Sequence, residues 1–263
     1  MNENIQVPEI LTGNKSATLN GTGYIFFVIT PVGHSFIKNE AHPDKSVLEI
    51  GCGYNNIVIE ALQKGVGSYT ANDISEEHLK ILRARVNQFF GQNALTKLKH
   101  LHFLTAKAPT ELPVAIEQYD AILADKVIHF MTPDEITQFI SWSKKALKKE
   151  GKLYVVTASP YSKTYKKMLP QYLENLARGD KFPGHIKNIM SNLDQTVMQN
   201  YPQYKVPDEM VLFSRSDLIN LFQREGMEVT ESYSLKIPTE GENTWSLIND
   251  KESNVVGVVA KKI

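Results

Sequence analysis

The sequence predicts an α/β fold in which the strands of a mostly parallel sheet alternate with helices, interrupted once by an inserted helical segment. Three observations predict it. The apolar run Val47–Ile50 ends at Gly51-Cys52-Gly53, just before a helical pattern begins. A second buried run, Tyr119–Asp125, leads through a short loop to a helix opening at Thr132-Pro133. Periods of two and of three to four residues alternate along the chain around both, as a wound sheet requires.

With 263 residues, 42% hydrophobic and 22% charged, the chain can bury one sizeable core, and one domain with an insertion is expected over 1–263. Formal net charge is zero, so bulk electrostatics offer no long-range attraction for nucleic acid or anionic lipid. The single cysteine excludes an internal disulfide framework and suggests a reducing compartment. Met1-Asn2-Glu3-Asn4 carries no positive region, and the apolar run Tyr24–Val32 is too short to span a bilayer and holds Pro31. A soluble, cytoplasmic protein is the expectation, with the Asn- and Gly-rich stretch Gly13–Gly23 mobile.

In chain order, residues 24–42 read as a short helical lead-in split at Pro31-Val32-Gly33, within a cap segment 1–42. Tyr24, Phe26 and Phe27 supply its apolar content, either over the site or over the sheet edge. At the glycine turn, Gly51 and Gly53 permit positive φ and close approach of a ligand, and N–H groups of the next helix point at it unpaired. Ile57, Ala61 and Leu62 mark that helix, stopped by Gly65. Ser68–Asn72 is the second strand, ending at Asp73 about twenty residues past the turn, where a carboxylate can accept both hydroxyls of a ribose. Asp73 or Ser75 can also cap the following helix, whose inner face is Leu79, Leu82, Val86 and Phe89. Leu101–Thr105 is the third strand.

After Tyr119–Asp125, the helix from Pro133 turns Ile136, Phe139, Ile140 and Leu147 inward, clusters lysines in its last turns and ends at Gly151. Leu153–Thr157 is the next strand. The interruption is 159–212, with helical periodicity over Tyr165–Arg178 and an exposed turn at Lys181-Phe182-Pro183-Gly184-His185. A stretch of about fifty residues is too long for plain loop in a compact domain and reads as a helical lid. A capped helix at Ser216–Gly226 and strands Met227–Leu235 and Asn254–Lys261 close the chain.

Glu49-x-Gly51-x-Gly53, together with the block from Tyr119 to Thr157, resembles the class I S-adenosylmethionine-dependent methyltransferases from about residue 46 to 158. Asn55 stands where the family most often has glycine, and Asn tolerates the left-handed geometry of such a turn. The resemblance implies a Rossmann-like, seven-stranded sheet with an antiparallel last strand, and S-adenosylmethionine as cofactor. It implies that Glu49 faces the cofactor's amino-acid end, that Gly51, Cys52 and Gly53 pass beneath its sugar, and that Asp73 and Ile74 lie beside the ribose. Further contacts are implied at Ala106, near the adenine, and at Ala124 and Asp125. Lys107 stands where the family often has an acid for the adenine amino group. The overall pattern resembles bacterial small-molecule methyltransferases.

Methyl transfer from a sulfonium is an in-line displacement that depends mainly on positioning. His129, just past the fourth strand, is the candidate base, against a packing role in the following helix. Tyr24, Tyr161 and Tyr165 are candidate pocket residues, against packing or lid roles. A divalent metal is not expected, because the strand after Asp125-Lys126 runs into Ala158-Ser159-Pro160 and offers no partner acid. His100 and His102 lack further ligands. DNA base methylation is not expected either: Ala124-Asp125-Lys126-Val127 lacks the Pro-Pro-aromatic run of the amino-methylating families, and Cys52 belongs to the turn. RNA or protein acceptors remain open by motif alone. The rivals are a catalytically silent adenosylmethionine-binding module and a nicotinamide oxidoreductase, whose Tyr-x-x-x-Lys relay has one match, Tyr201 and Lys205, enclosing Pro202.

Overall fold

The computed structural model describes residues 8, 14–21, 23–193, 205, 207–238, 242 and 244–263. Met1–Asn4, Gly13, Tyr201 and Pro202, which figure in the sequence reading, lie outside the described residues.

An N-terminal hairpin, β1 (Lys15–Ala17) with β2 (Tyr24–Phe26), precedes α1 (Pro31–Glu40). The chain then runs through β3 (Ser46–Ile50), α2 (Asn56–Lys64), β4 (Ser68–Asp73), α3 (Glu76–Phe90), the short α4 (Ala94–Leu98) and β5 (Leu101–Thr105). β6 (Tyr119–Asp125), α5 (Pro133–Ala146) and β7 (Leu147–Ala158) follow. The insertion holds α6 (Leu169–Ala177), β8 (His185–Lys187), α7 (Ile189–Asn192) and β9 (Glu209–Val211). The chain closes with α8 (Arg215–Arg224), β10 (Met227–Lys236), β11 (Ser246–Leu247) and β12 (Val255–Lys262).

The main sheet has eight strands in the order β11-β10-β12-β7-β6-β3-β4-β5. Strands β7, β6, β3, β4 and β5 pair in parallel, whereas β12 runs antiparallel between β7 and β10. The expected seven strands are all present, and the two-residue β11 adds an eighth at the edge of β10. Both sheet faces are covered, which is why the strands are apolar runs instead of alternating ones. Val47, Ala121, Leu123, Tyr154 and Val156 pack on one side with α1, α2 and α3; Leu48, Ile50, Ile122, Leu153 and Val155 pack on the other with α5 and α8.

Local chemistry sets the helix ends. Gly65 (φ 96°) closes α2, the Ser75 side chain caps α3, and Thr132 with Glu135 forms a reciprocal capping box on α5.

Several expectations are corrected. Residues 24–26 are a strand, and the lead-in helix starts only at Pro31, whose fixed φ suits a first turn capped by Thr30. Helix α5 ends at Ala146, not Gly151: Leu147 already pairs with Tyr119, and Lys148–Gly151 bulges out through Glu150 at φ 64° before pairing resumes at Lys152. Phe89 is exposed and stacks edge-on against Phe90. The insertion is not purely helical, since β8 and β9 form a two-stranded ribbon with a small core of Met168, Ile186, Ile189, Met210 and Leu212. Pro183 and Gly184 are buried there, not exposed, and a Cβ on Gly184 would stand 1.8 Å from the Leu212 carbonyl oxygen. Among the described residues, no helix is long and apolar enough to cross a membrane.

Candidate functional site

The chain proceeds from β3 outward to β5 and then returns to place β6 on the other side of β3. Such a reversal leaves a crevice at the carboxyl ends of the two neighbouring strands. A cleft of about 280 Å³ occupies it, floored by the turn after β3 and the exits of β4, β5 and β6.

In the turn, Gly51 and Gly53 take φ of 64° and 53°. A Cβ on Gly51 would stand 2.8 Å from Val127, and one on Gly53 2.8 Å from Ile25, so bare main chain is required at both. The N–H groups expected to be free are partly engaged. Cys52 N–H donates to the Asn72 carbonyl (2.9 Å), Gly53 N–H to Asp73 Oδ2 (2.8 Å), and Ile57 N–H to the capping Asn55 Oδ1 (2.9 Å).

Asp73, at the tip of β4, is buried and lines the cleft. Its Oδ1 accepts from Ser75 N–H (2.8 Å) and from His78 Nδ1 (3.0 Å). A carboxylate offers about four lone-pair positions. With three used, the remaining capacity sits on Oδ2. Capping of α3 falls to Ser75, so the two readings of Asp73 separate. Asn72 donates to the Leu104 and Ala106 carbonyls (2.9 and 3.0 Å), fixing the β5 exit beside it.

Across the cleft, Asp125 pairs with Lys126 Nζ (2.6 Å), and Thr30 Oγ1 stands 3.4 Å from Asp125 Oδ2. Lys126 takes φ of 62°, a conformation unfavourable for a long side chain and one that gathers at functional sites. Its ammonium lies 5.4 Å from the Phe26 ring and 5.6 Å from Trp245. The hairpin forms the opposite wall through Thr18, Asn20, Tyr24, Ile25 and Phe26, with Val28 beyond. Trp245 secures that wall by donating its indole N–H to the Val28 carbonyl (3.0 Å). Lys107 reaches the rim and pairs with Glu135 at 2.6 Å.

Of the residues singled out from sequence, Gly51, Cys52, Gly53, Asp73, Ile74, Ala106, Asp125 and Tyr24 line the cleft together. Glu49 and Ala124 do not; both are buried in the strands beneath it. Tyr69 OH and Asn55 Nδ2 donate to the Glu49 carboxyl (2.6 and 2.7 Å), and burial pushes its pKa up to about 8. His129 is buried outside the cleft, against the Phe130 ring (4.1 Å) and near Thr157 Oγ1 (3.5 Å). Burial, aided by the Lys126 charge, lowers its pKa to about 3. Such an imidazole stays neutral but is too weak a base to take protons near neutrality. Phe130 and Met131 line the cleft in its stead. Tyr161 packs edge-on against Tyr172 and Tyr165 against the core of the insertion, so neither reaches the cleft. Among the described residues, none from 159–212 lines it, and no three or more His, Cys, Asp or Glu side chains group as a metal site.

Sequence reasoning missed His78, Lys126 and Trp245. For His78 a signal existed: it stands one residue before Leu79 and four before Leu82, on the side of α3 that turns inward. Trp245 gave none, being isolated in sequence.

Residues 47–151 match a family model described as a methyltransferase domain. No curated protein matches. Among solved structures, an S-adenosylmethionine-dependent methyltransferase from Methanosarcina mazei is similar at 20% identity, with 89% of this chain and 98% of that one covered and a TM-score of 0.59. Geranyl diphosphate C-methyltransferase from Streptomyces coelicolor A3(2) is similar at 12% identity, covering 88% and 79%, with a TM-score of 0.55. The 1,6-didemethyltoxoflavin-N1-methyltransferase of Burkholderia thailandensis is similar at 14% identity, covering 88% and 76%, with a TM-score of 0.54. At these identities the likeness is one of fold.

Proposed function

We propose that the chain, whose residues 47–151 match a methyltransferase domain, is a class I methyltransferase that transfers a methyl group from S-adenosylmethionine to a small-molecule acceptor. One observation carries the reading. Two glycines at positive φ are joined through the Gly53 N–H to a buried aspartate at the next strand's tip, at the foot of a walled cleft.

The residues present fit that cofactor. Side chains at 51 or 53 would collide with Val127 and Ile25, so the main chain alone can lie against a nucleoside. Asp73 Oδ2 has capacity for a ribose hydroxyl, and Ile74 and Ala106 offer apolar contact for a base. When bound, the cofactor supplies an electrophilic methyl on a sulfonium. Asp73 gives the cleft an acidic group, Asp125 being paired with Lys126, while Ile25, Phe26 and Val28 shield it from water, which strengthens electrostatic positioning.

His129 is not assigned a proton-transfer role, because its ring is too weak a base and lies outside the cleft. Catalysis then rests on orientation of an acceptor that brings its own lone pair. A small acceptor is supported by the enclosing hairpin and by two structural relatives named for geranyl diphosphate and 1,6-didemethyltoxoflavin. The chain is read as one methyltransferase unit with a cap and an insertion. The lone cysteine, buried in the turn, supports a reducing, cytoplasmic setting.

Calorimetry with S-adenosylmethionine and with NAD tests the cofactor. Binding of the first and not the second is expected; the reverse would overturn the reading. Formation of S-adenosylhomocysteine with a metabolite panel then separates an enzyme from a silent binding module.

A further inference from the structure

His78 belongs to the first turn of α3 and is buried where the tip of β4, the glycine turn and the N-terminal hairpin meet. Both ring nitrogens are engaged. The Leu19 backbone N–H, on the loop between β1 and β2, donates to Nε2 at 3.0 Å. A backbone amide can only donate, so Nε2 carries no proton. Nδ1 stands 3.0 Å from Asp73 Oδ1, which can only accept as a carboxylate, so Nδ1 carries the hydrogen. The geometry therefore requires the neutral, Nδ1-protonated tautomer.

We propose that His78 is a positioning residue that ties closure of the N-terminal hairpin to the orientation of the cofactor-binding Asp73, and that it holds the hairpin shut only while neutral. This rests on the reading that Asp73 meets the cofactor. The base of the hairpin is secured independently: Tyr54 OH is placed to donate to Ser16 Oγ or the Ala17 carbonyl (3.2 and 3.1 Å), and Asn56 Nδ2 donates to the Phe27 carbonyl (2.7 Å). Toward the tip, Leu19 N–H donates to His78, and Lys205 N–H donates to the Gly21 carbonyl at 2.7 Å. A second proton on the imidazole would set Nε2–H against the Leu19 N–H, donor facing donor. The tip loses its tie at Leu19, while the imidazolium keeps Asp73.

The charged and titratable groups around the ring are few. Asp73 on β4 faces Nδ1; Tyr54 from the glycine turn meets the ring edge-on at 5.6 Å; Cys52 lies close to Asp73 in the same turn. On α3 itself, Glu76 and Glu77 are exposed and pair with Lys80. The hairpin contributes backbone at this contact.

The test is hydrogen exchange of the hairpin tip in the cofactor-free full chain, expressed as protection relative to the unfolded rate, at about pH 7.5 and about pH 5.5, which bracket the value of about 6.5 for a free imidazole. Wild type is expected to lose at least about tenfold of its tip protection at the lower pH. His78→Asn can still donate to Asp73 but cannot reach Leu19. Its Leu19 amide is expected to lose protection at both pH values, with KM for S-adenosylmethionine raised and kcat little changed. His78→Gln, whose amide oxygen reaches the Nε2 position, is expected to restore protection that no longer depends on pH. Wild-type protection independent of pH, or a Leu19 amide as protected in His78→Asn as in wild type, would overturn the proposal. The wild-type arm needs no variant to fold. It also needs no cofactor, so failure to bind S-adenosylmethionine would strike the proposed function separately.

Discussion

At the scale of single residues, the cleft is governed by what burial does to ionisable groups. Asp73 stays a useful acceptor because N–H donors hold it, and replacing it removes charge-assisted contacts that water cannot supply in a closed site. Asp73→Ala is expected to weaken S-adenosylmethionine binding at least about tenfold, some 1.4 kcal/mol, measured by calorimetry. Unchanged affinity would remove the ribose assignment.

Glu49 and His129 shift in opposite senses. The Glu49 pKa rises from 4.5 to about 8, so between those values the folded state holds a proton that the unfolded state has released. Its stabilising contribution is complete below pH 4.5 and disappears as pH climbs toward about 8. Relative to Glu49→Gln, the thermal midpoint of wild type is expected to fall across that interval. The His129 pKa drops from 6.5 to about 3, so in acid the unfolded chain takes up a proton that the folded one refuses. Wild type is expected to lose stability relative to His129→Leu as pH falls from 6.5 toward about 3, by at most about 1.4 kcal/mol per unit. Denaturant titrations over pH read both slopes. A turnover loss beyond about a hundredfold in His129→Leu, with stability at neutral pH intact, would return the residue to the mechanism.

At the scale of elements, legibility followed local chemistry. The turn after β3, the capped starts of α3 and α5 and the strands β4, β5 and β6 carry their causes within a few residues: glycine, a capping side chain, an apolar run. Thr132 and Glu135 satisfy each other's backbone donors, so Thr132→Ala is expected to cost about 1 kcal/mol of stability without altering cofactor affinity, by urea denaturation and calorimetry together. Elements stabilised by distant partners were not legible. β1 and β2 are three residues each, too short for a period, and owe their place to Tyr54, Asn56, His78 and Trp245 far along the chain. The same holds for β8 and β9, which pair across a separation of about twenty residues within the insertion. His129 and Lys126 show the limit from the other side. Their position after β6 was readable, but which of the two side chains faces the cleft depends on the left-handed turn at Lys126.

For the molecule as a whole, the floor of the site comes from the central strands and its wall from an N-terminal hairpin held by a residue from the C-terminal region. A ligand that fills the cleft touches both, so it is expected to stabilise the entire fold. At a hundred times its Kd, S-adenosylmethionine should add about 2.7 kcal/mol, seen as a rise of roughly 5–10 °C in melting midpoint, with added hydrogen-exchange protection across the hairpin. A midpoint that does not move would contradict binding to the folded state. Composition and alternation made the wound sheet readable at this scale; the closing of the cleft by the hairpin was not, since it joins residues more than about two hundred positions apart, where sequence period carries no information.

The place of β12 between β7 and β10 has a consequence for synthesis. A ribosome delivers both flanking strands before Val255–Lys262 leaves the exit tunnel, so each meanwhile presents a border of open backbone groups. Until that late segment slots in, two halves of the sheet wait side by side without their common seam. Newly made chains are then most prone to join one another, and a premature stop codon ahead of Val255 would make that passing hazard permanent.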